Sequence, residues 1–150
     1  MKRVSLLSLF ALLMAWPGPT FGSKATFQAR KQVTSVTGTY SVKWKRGALC
    51  VLGVQQLPDD KIKFELDCNR GAPSYNSGTA SGTIAIKDHV AVYSTTEFNG
   101  KCEIKFQFQK SKVIVSQTGG DFECGFGHGV TCDGSYTLTS RKPPKFGENK

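Results

Sequence analysis

The sequence predicts an all-β protein, an eight-stranded antiparallel meander closed into a small barrel and supported by disulfides, with a two-sheet β-sandwich as the alternative. Three observations favour this fold class. Turn signals recur roughly every 8–12 residues from residue 36 onward. Apolar and polar residues alternate between these turns, as they do in strands that bury one face. The same region lacks the helical spacing of apolar residues.

The first 22 residues have the pattern of a secretory signal peptide. Lys2 and Arg3 precede the apolar run Leu6–Ala15, and Thr20 and Gly22 place small residues at the −3 and −1 positions. The apolar run is shorter than the roughly 20 residues that a membrane-spanning helix needs. We therefore expect cleavage after Gly22, a secreted or periplasmic protein, and no transmembrane segment in the mature chain.

Residues 23–150 are predicted to form one domain with two short extensions. Residues 23–35 are polar and weakly patterned, and we expect an N-terminal arm there. The strands fall within residues 36–140. Residues 141–150, RKPPKFGENK, are basic and contain proline, so we expect a disordered tail.

Positive charge dominates the predicted mature chain. Removing Lys2 and Arg3 from the 20 basic residues leaves 18 against 11 acidic ones, a formal charge of +7. A strand alternating Tyr40, Val42 and Trp44 with polar residues opens the predicted barrel. Basic residues gather at its end, and this charge would attract polyanions. The clustered basic residues are Lys43, Lys45 and Arg46.

The turn Leu57–Lys61 allows the register of the strands on either side to be predicted. Folding the chain about Asp59 sends Glu65 and Asp67 to solvent, because side chains alternate with period two. The opposed inward pairs are then Val54 with Phe64, Leu52 with Leu66, and Cys50 with Cys68.

Tight turns are also predicted for the later hairpins. Asn99-Gly100 is a strong signal for a two-residue turn, since both central residues of a type I′ turn need positive φ. Lys87-Asp88 and Lys110-Ser111 are predicted as further tight turns, and the last strand as Val130–Thr139. The resulting pairs are Phe108 with Ala91, Phe106 with Tyr93, Ile104 with Thr95, Val113 with Phe108 and Val115 with Phe106.

Five cysteines leave at least one thiol free or intermolecular. Cys50 and Cys68 are directly opposed in the predicted register, and we expect a disulfide there, with two buried free thiols as the alternative. Cys124 lies in a loop that returns over the strand beginning at Cys102, so a second disulfide is predicted between them. Cys132 is left as the free thiol.

Other roles for the cysteines of the glycine-rich segment Glu123–Tyr136 stay open at this point. Cys132 shares the inward face of Tyr136 and Leu138, which predicts a buried thiol in a monomer, although a Cys132-linked dimer is also considered. A metal site from Cys124, His128 and Cys132 does not match the usual zinc-finger spacing. Pairing of the Cys132 thiol with His128 for catalysis lacks a third, orienting group. We expect no metal, no cofactor and no catalytic residues.

The C-terminal half resembles a group of small exported bacterial proteins that are largely uncharacterised. The shared pattern is CGFG-x-GV-x-x-x-G-x-Y after a strand of the Lys-Cys-x-Ile/Leu-x-Phe type, and it covers Gly78–Tyr136. The resemblance implies export but no activity. More loosely, the size, signal peptide and eight-strand meander are similar to those of periplasmic lysozyme inhibitors, whose Ser-Gly-x-x-Tyr segment is here Ser77–Ser81 without the tyrosine. The matching residues are Lys101–Phe106, Val113–Gln117, Cys124–Gly127, Gly129, Val130, Gly134 and Tyr136.

Together these features favour binding over catalysis. We expect an exported non-enzymatic binding or inhibitor protein with an unknown protein partner. A binder of anionic envelope polymers or surfaces, such as lipopolysaccharide or nucleic acid, is the alternative, and a thiol- or metal-dependent enzyme comes third. The loops Asn69–Gly78 and Gly119–Gly129 hold the candidate contacts, two of which (Tyr75 and Phe126) could instead cover the barrel end. These contacts are Tyr75, Asn76, Phe122, Phe126 and His128.

Overall fold

The computed structural model describes residues 35–98 and 100–147. The predicted signal peptide, nearly all of the predicted arm 23–35, Asn99 and residues 148–150 lie outside the described residues. Within the described residues, no helix has the length and apolar content needed to cross a membrane.

The chain folds into eight antiparallel strands that form a closed barrel, which confirms the predicted fold class over the sandwich. Each strand pairs with the next, and the last pairs with the first. A short 3-10 turn, Lys45–Gly47, follows the first strand. The strands are β1 (Gly38–Lys43), β2 (Leu49–Leu57), β3 (Lys61–Asn69), β4 (Ser77–Lys87), β5 (Val90–Thr95), β6 (Cys102–Phe108), β7 (Lys112–Thr118) and β8 (Gly134–Ser140).

The predicted register of the β2–β3 hairpin is confirmed. Cys50 lies opposite Cys68, and the two form a disulfide. A second disulfide joins Cys102 to Cys124, also as predicted. Both bonds are compatible with an extracytoplasmic protein, because disulfides persist in oxidising compartments.

Inward-facing side chains of the strands fill the barrel interior. The ring of Phe64 lies at its centre, with centroids 5.4 Å from Tyr93 and 5.0 Å from Phe106. β4 contributes small inward residues at Gly78, Ala80 and Gly82, which leave room for rings that come from other strands and loops. A Cβ at Gly82 would lie 3.5 Å from the Phe64 ring. Alternation of small and large residues is how small barrels fill their interior.

Three local predictions are wrong. β5 and β6 pair Ala91 with Phe106, two residues away from the predicted register, because the connection is the six-residue loop 96–101 and not a two-residue turn. The ring of Phe98 in this loop occupies the space beside Gly125, where a larger residue would collide with it. The shift is even, so the inward faces are unchanged.

The other two corrections concern a turn and a strand boundary. β4 and β5 are joined by Asp88-His89, both with positive φ, and not by Lys87-Asp88. The last strand begins at Gly134 and not at Val130. The N–H of Cys132 donates to the side-chain oxygen of Gln117, which takes the place of a strand partner before the β8 pairing starts.

Part of the C-terminal segment that was expected to be a disordered tail lies among the described residues. Residues 141–147 leave β8 and cross the outer face of β2 and β3. Pro144 covers Gly53, where the missing side chain leaves a shallow seat. The ring of Phe146 lies 4.6 Å from the Lys63 Nζ, and the Gly147 N–H donates to Glu65 Oε2 at 3.1 Å.

The two ends of the barrel are unlike. One end, hereafter the loop end, carries the connections 44–48, 70–76, 96–101 and 119–133. The opposite end, the turn end, carries the short connections 58–60, 88–89 and 109–111. Long loops at one end of a rigid scaffold are where binding residues are usually found.

We predict that Phe106→Ala lowers the free energy of unfolding by about 3–5 kcal/mol, because it removes a ring from the centre of the core. Guanidinium denaturation followed by far-ultraviolet circular dichroism measures the change. The neighbouring exposed position supplies the control, since Gln107→Ala should change the same free energy by less than about 0.5 kcal/mol. A loss below 1 kcal/mol for Phe106→Ala would contradict the described packing.

Candidate functional site

The exposed aromatic side chains cluster at the loop end. Each of the four loop-end connections carries one: Trp44 (41% exposed), Tyr75 (65%), Phe98 (43%) and Phe122 (59%). The only other exposed large hydrophobic side chain among the described residues is Val92, on the barrel wall. Aromatic residues are enriched in protein interfaces, and a group of exposed rings is informative where a single one is not.

The loop 119–133 is fixed in several ways. The disulfide from Cys124 ties it to Cys102 at the start of β6. The Asp121 carboxylate accepts hydrogen bonds from the backbone N–H groups of Phe122 and Gly129, and so closes the loop on itself. His128 Nδ1 lies 3.5 Å from the same carboxylate. The N–H of Gly129, followed by that of Phe122 and by His128, holds the pKa of Asp121 below its usual range.

The same loop is attached to the loop 70–76. The carbonyl of His128 accepts hydrogen bonds from Asn76 Nδ2 at 2.8 Å and from an Arg70 guanidinium nitrogen at 3.2 Å. The N–H of Gly127 donates to the carbonyl of Ser77 at 2.9 Å. Asn76, which the sequence suggested as a contact residue, therefore joins the two loops together.

Phe126 is buried, so its prediction as an exposed contact residue is wrong. Its ring lies against Gly78, in the space where any side chain on that residue would sit. The alternative considered from the sequence, a ring that closes the barrel end, describes its position. A loop residue has no alternation with its neighbours, so the sequence could not show which way this ring points.

The other predicted contact residues remain exposed. The rings of Phe122 and His128 stack, with centroids 5.9 Å apart and an interplanar angle of 23°. Tyr75 lies at the tip of its loop with positive φ. The structure therefore brings Phe122 and His128 together and leaves Tyr75 on the neighbouring loop.

The predicted basic cluster lies on the first loop-end connection. Lys43, Lys45 and Arg46 are all exposed around the 3-10 turn. Neither the Lys101–Glu103 ion pair nor the contact of His128 with Asp121 uses this cluster. The carbonyl of Arg46 accepts a hydrogen bond from Ala72 N–H at 3.0 Å, which ties the cluster to the loop 70–76.

A cleft of about 210 Å³ connects these parts of the loop end. Trp44, Arg70, Val130 and Asp133 are among the residues that line it. Three residues of the loop end were missed from the sequence: Trp44 was placed in the first strand, Phe98 was expected only to flank the Asn99-Gly100 turn, and Arg70 was not singled out. The signal that could have found them is their position beside predicted turns, where an aromatic or arginine side chain has no strand face to occupy.

Cys132 is the free thiol, and it is fully buried. Its sulfur donates to the Gln117 side-chain oxygen at 3.3 Å. Burial, with a smaller effect of Asp133, raises the pKa of Cys132 to about 12. A second chain cannot reach this sulfur in the folded barrel, so the structure does not favour the Cys132-linked dimer considered from the sequence.

The same observations bear on metal and thiol chemistry. The disulfide uses the sulfur atoms of Cys102 and Cys124, which removes them as thiolate ligands. Within residues 35–98 and 100–147, no group of three or more His, Cys, Asp or Glu side chains is placed to hold a metal ion. A neutral buried thiol such as Cys132 is a poor nucleophile, because the thiolate is the reactive form.

Comparisons with protein-family models, with curated proteins and with solved structures give no match. The resemblance to small exported bacterial proteins therefore stays a prediction, and the looser likeness to periplasmic lysozyme inhibitors does too.

We predict that Cys132 resists thiol reagents in the folded protein. At pH 8 the Ellman reagent should detect no rapid thiol in buffer and one thiol in guanidinium. Because the folded pKa is raised above the unfolded value of about 8.5, the neutral thiol stabilises the fold fully below that pH. This contribution should decline as the pH rises towards 12. Rapid labelling of the native protein would contradict the burial.

We predict that Gly78→Ala displaces Phe126 from the barrel end and lowers the free energy of unfolding by about 1–3 kcal/mol. Denaturant unfolding measures the loss. Phe126→Ala should remove the steric conflict, so the double variant should be more stable than the sum of the two single losses implies. Strict additivity would show that the two residues do not share this space.

Proposed function

We propose that this protein is an exported, non-enzymatic binding or inhibitor protein that contacts a partner protein with its loop end. One observation carries the proposal: each of the four loop-end connections exposes one aromatic side chain. Trp, Tyr and Phe are the side chains that supply binding energy at the centres of interfaces, since they offer large rigid surfaces. Their presence on every loop at one end, and not around the wall, supports a contact surface there.

The anchoring of the loops supports the same function. Disulfide and hydrogen bonds hold the loop 119–133 to β6 and to the loop 70–76. A surface that is ordered before binding loses less conformational entropy when a partner arrives. Rigid loops with outward rings are therefore suited to recognition of a folded partner, where little rearrangement is needed.

Charge indicates what kind of partner fits. The predicted mature chain carries a formal charge of +7, and Lys43, Lys45 and Arg46 are exposed beside Trp44. Like charges slow encounter and weaken binding, so a strongly cationic lysozyme is a poor partner. A protein with a neutral or acidic surface fits better. The predicted signal peptide and the two disulfides support an encounter outside the cytoplasm, in the periplasm or the external medium.

We predict that the variant Tyr75→Ser/Phe122→Ser captures its partner at least tenfold less than the unaltered chain. Immobilised protein is incubated with native envelope extract, and captured proteins are quantified by mass spectrometry. Both altered side chains are exposed, so the fold should not change, which circular dichroism checks. Val92→Ser is the matched control, since Val92 is the exposed hydrophobic residue on the wall. Equal capture by the double variant and the control would refute the loop end as the contact surface.

Binding of an anionic envelope polymer is the second candidate function. The observation that favours it is the exposed cluster Lys43, Lys45 and Arg46, which contributes to neither the Lys101–Glu103 ion pair nor the His128–Asp121 contact. Under this function, the protein would stay bound to a heparin column at about 0.5 M salt. Nonspecific electrostatic attraction to heparin is weak at that salt concentration. The variant Lys43→Gln/Lys45→Gln/Arg46→Gln would elute much earlier. Elution of the unaltered chain at modest salt would leave the protein-binding function as the better account.

A further inference from the structure

The C-terminal segment occupies a groove on the outer wall, away from the loop end. Pro144 and Phe146 turn towards the barrel, and both are partly buried. A Cβ at Gly53 would lie 3.0 Å from the Pro144 Cβ, so the proline sits where β2 lacks a side chain. Phe146 lies over Lys63 on β3. The segment therefore makes several contacts with the wall. The Pro144 ring packs over Gly53, and the Phe146 ring lies over the Lys63 ammonium group. The backbone N–H of Gly147 donates a hydrogen bond to Glu65.

The segment fills this groove only in part. A cavity of about 150 Å³ remains between it and β1 to β3, lined by Gly53, Glu65 and Pro144 among others. A larger cleft of about 520 Å³ continues on the far side of Phe146 along β3 and β4. Outward Ser and Thr side chains of β4 line that cleft, namely Thr79, Ser81 and Thr83. The groove therefore extends beyond Phe146 and Gly147, the last described residues of the segment.

The charges of groove and segment are complementary. Glu65 and Asp67 project from the same outward face of β3 and both line the cavity beside Pro144. The segment Arg141–Lys150 contains four basic residues and one acidic residue, and Lys145 lines the same cavity as the two carboxylates. Burial, with Glu65 second, raises the pKa of Asp67, so a cation in this place is favourable for both carboxylates.

We propose that this outer face of β2 and β3 is a second binding surface, which takes an extended basic segment of a partner protein with proline and an aromatic residue two positions apart. The chain's own Pro-Lys-Phe, residues 144–146, occupies the surface in the absence of the partner and shows the chemistry that fits. The proline fills the seat at Gly53, the aromatic ring covers Lys63, and Lys145 lines the same cavity as Glu65 and Asp67. The cleft along β4, next to Phe146 and Gly147, would hold further residues of the partner segment.

This surface lies away from the loop end, so an experiment can refute binding at one of the two surfaces without refuting binding at the other. Because the tail is tethered to β8, its effective concentration at the groove is in the millimolar range, and a partner segment must compete with it. A free peptide should therefore bind weakly to the unaltered chain. It should bind more tightly once the tail is released.

The test uses the full chain with Pro144→Ser/Phe146→Ser, which releases the tail and leaves all eight strands unaltered. A fluorescent peptide RKPPKFGENK is titrated at low salt, and its anisotropy is measured. We expect the released-tail variant to bind the peptide at least tenfold more tightly than the unaltered chain. A control peptide with serine in place of the second proline and the phenylalanine should show no saturable binding.

A third substitution locates the site. Gly53→Val on the released-tail variant fills the proline seat with a residue that suits an exposed strand, and it should abolish peptide binding while the circular dichroism spectrum stays the same. The proposal is overturned if the released-tail variant does not bind the peptide, since the tail is then only a cover for the wall. Binding that survives Gly53→Val overturns it as well. Concentration-dependent dimers in light scattering would assign the groove to the tail of a second copy and not to a partner.

Discussion

Closure of the sheet by pairing of β8 with β1 is the constraint on which the rest of the structure depends. A closed sheet has one interior, so the inward residues of the strands form one core, and no strand edge is left along that seam. Because each strand pairs antiparallel with the next one in the chain, every second connection lies at the same end. The loop end and the turn end follow from this alternation together with the unequal lengths of the connections.

The loop end shows how a small domain can expose aromatic side chains and stay ordered. Groups other than these rings hold the loops in place. The Asp121 carboxylate, the His128 carbonyl and the disulfide from Cys124 fix the backbone. Phe126 points inward and closes the interior, which leaves Phe122 free to face solvent. The division between anchoring groups and exposed rings makes a contact surface compatible with a stable fold.

Much of the barrel could be predicted from the sequence, and the parts that could not share a physical cause. The β2–β3 register and its disulfide depend on a local turn and on period-two alternation, both visible in the chain. The β5–β6 register goes with the six-residue loop 96–101, whose Phe98 packs beside Gly125 of a separate loop, a contact that the sequence does not show. The tail packs on the seat at Gly53, which lies far away in sequence. Phe126 lies outside strand alternation, so no pattern could indicate its direction.

The positions of the two disulfides link the state of the protein to its place in the cell. Cys50 and Cys68 lie one residue from the loop end of their strands, and Cys102 and Cys124 lie at that end too. The turn end has no crosslink among the described residues and relies on short turns. A reducing environment therefore loosens the half that carries the aromatic rings and spares the half that does not. Under the proposed function, formation of the two disulfides outside the cytoplasm would order the loop end before the chain meets a partner.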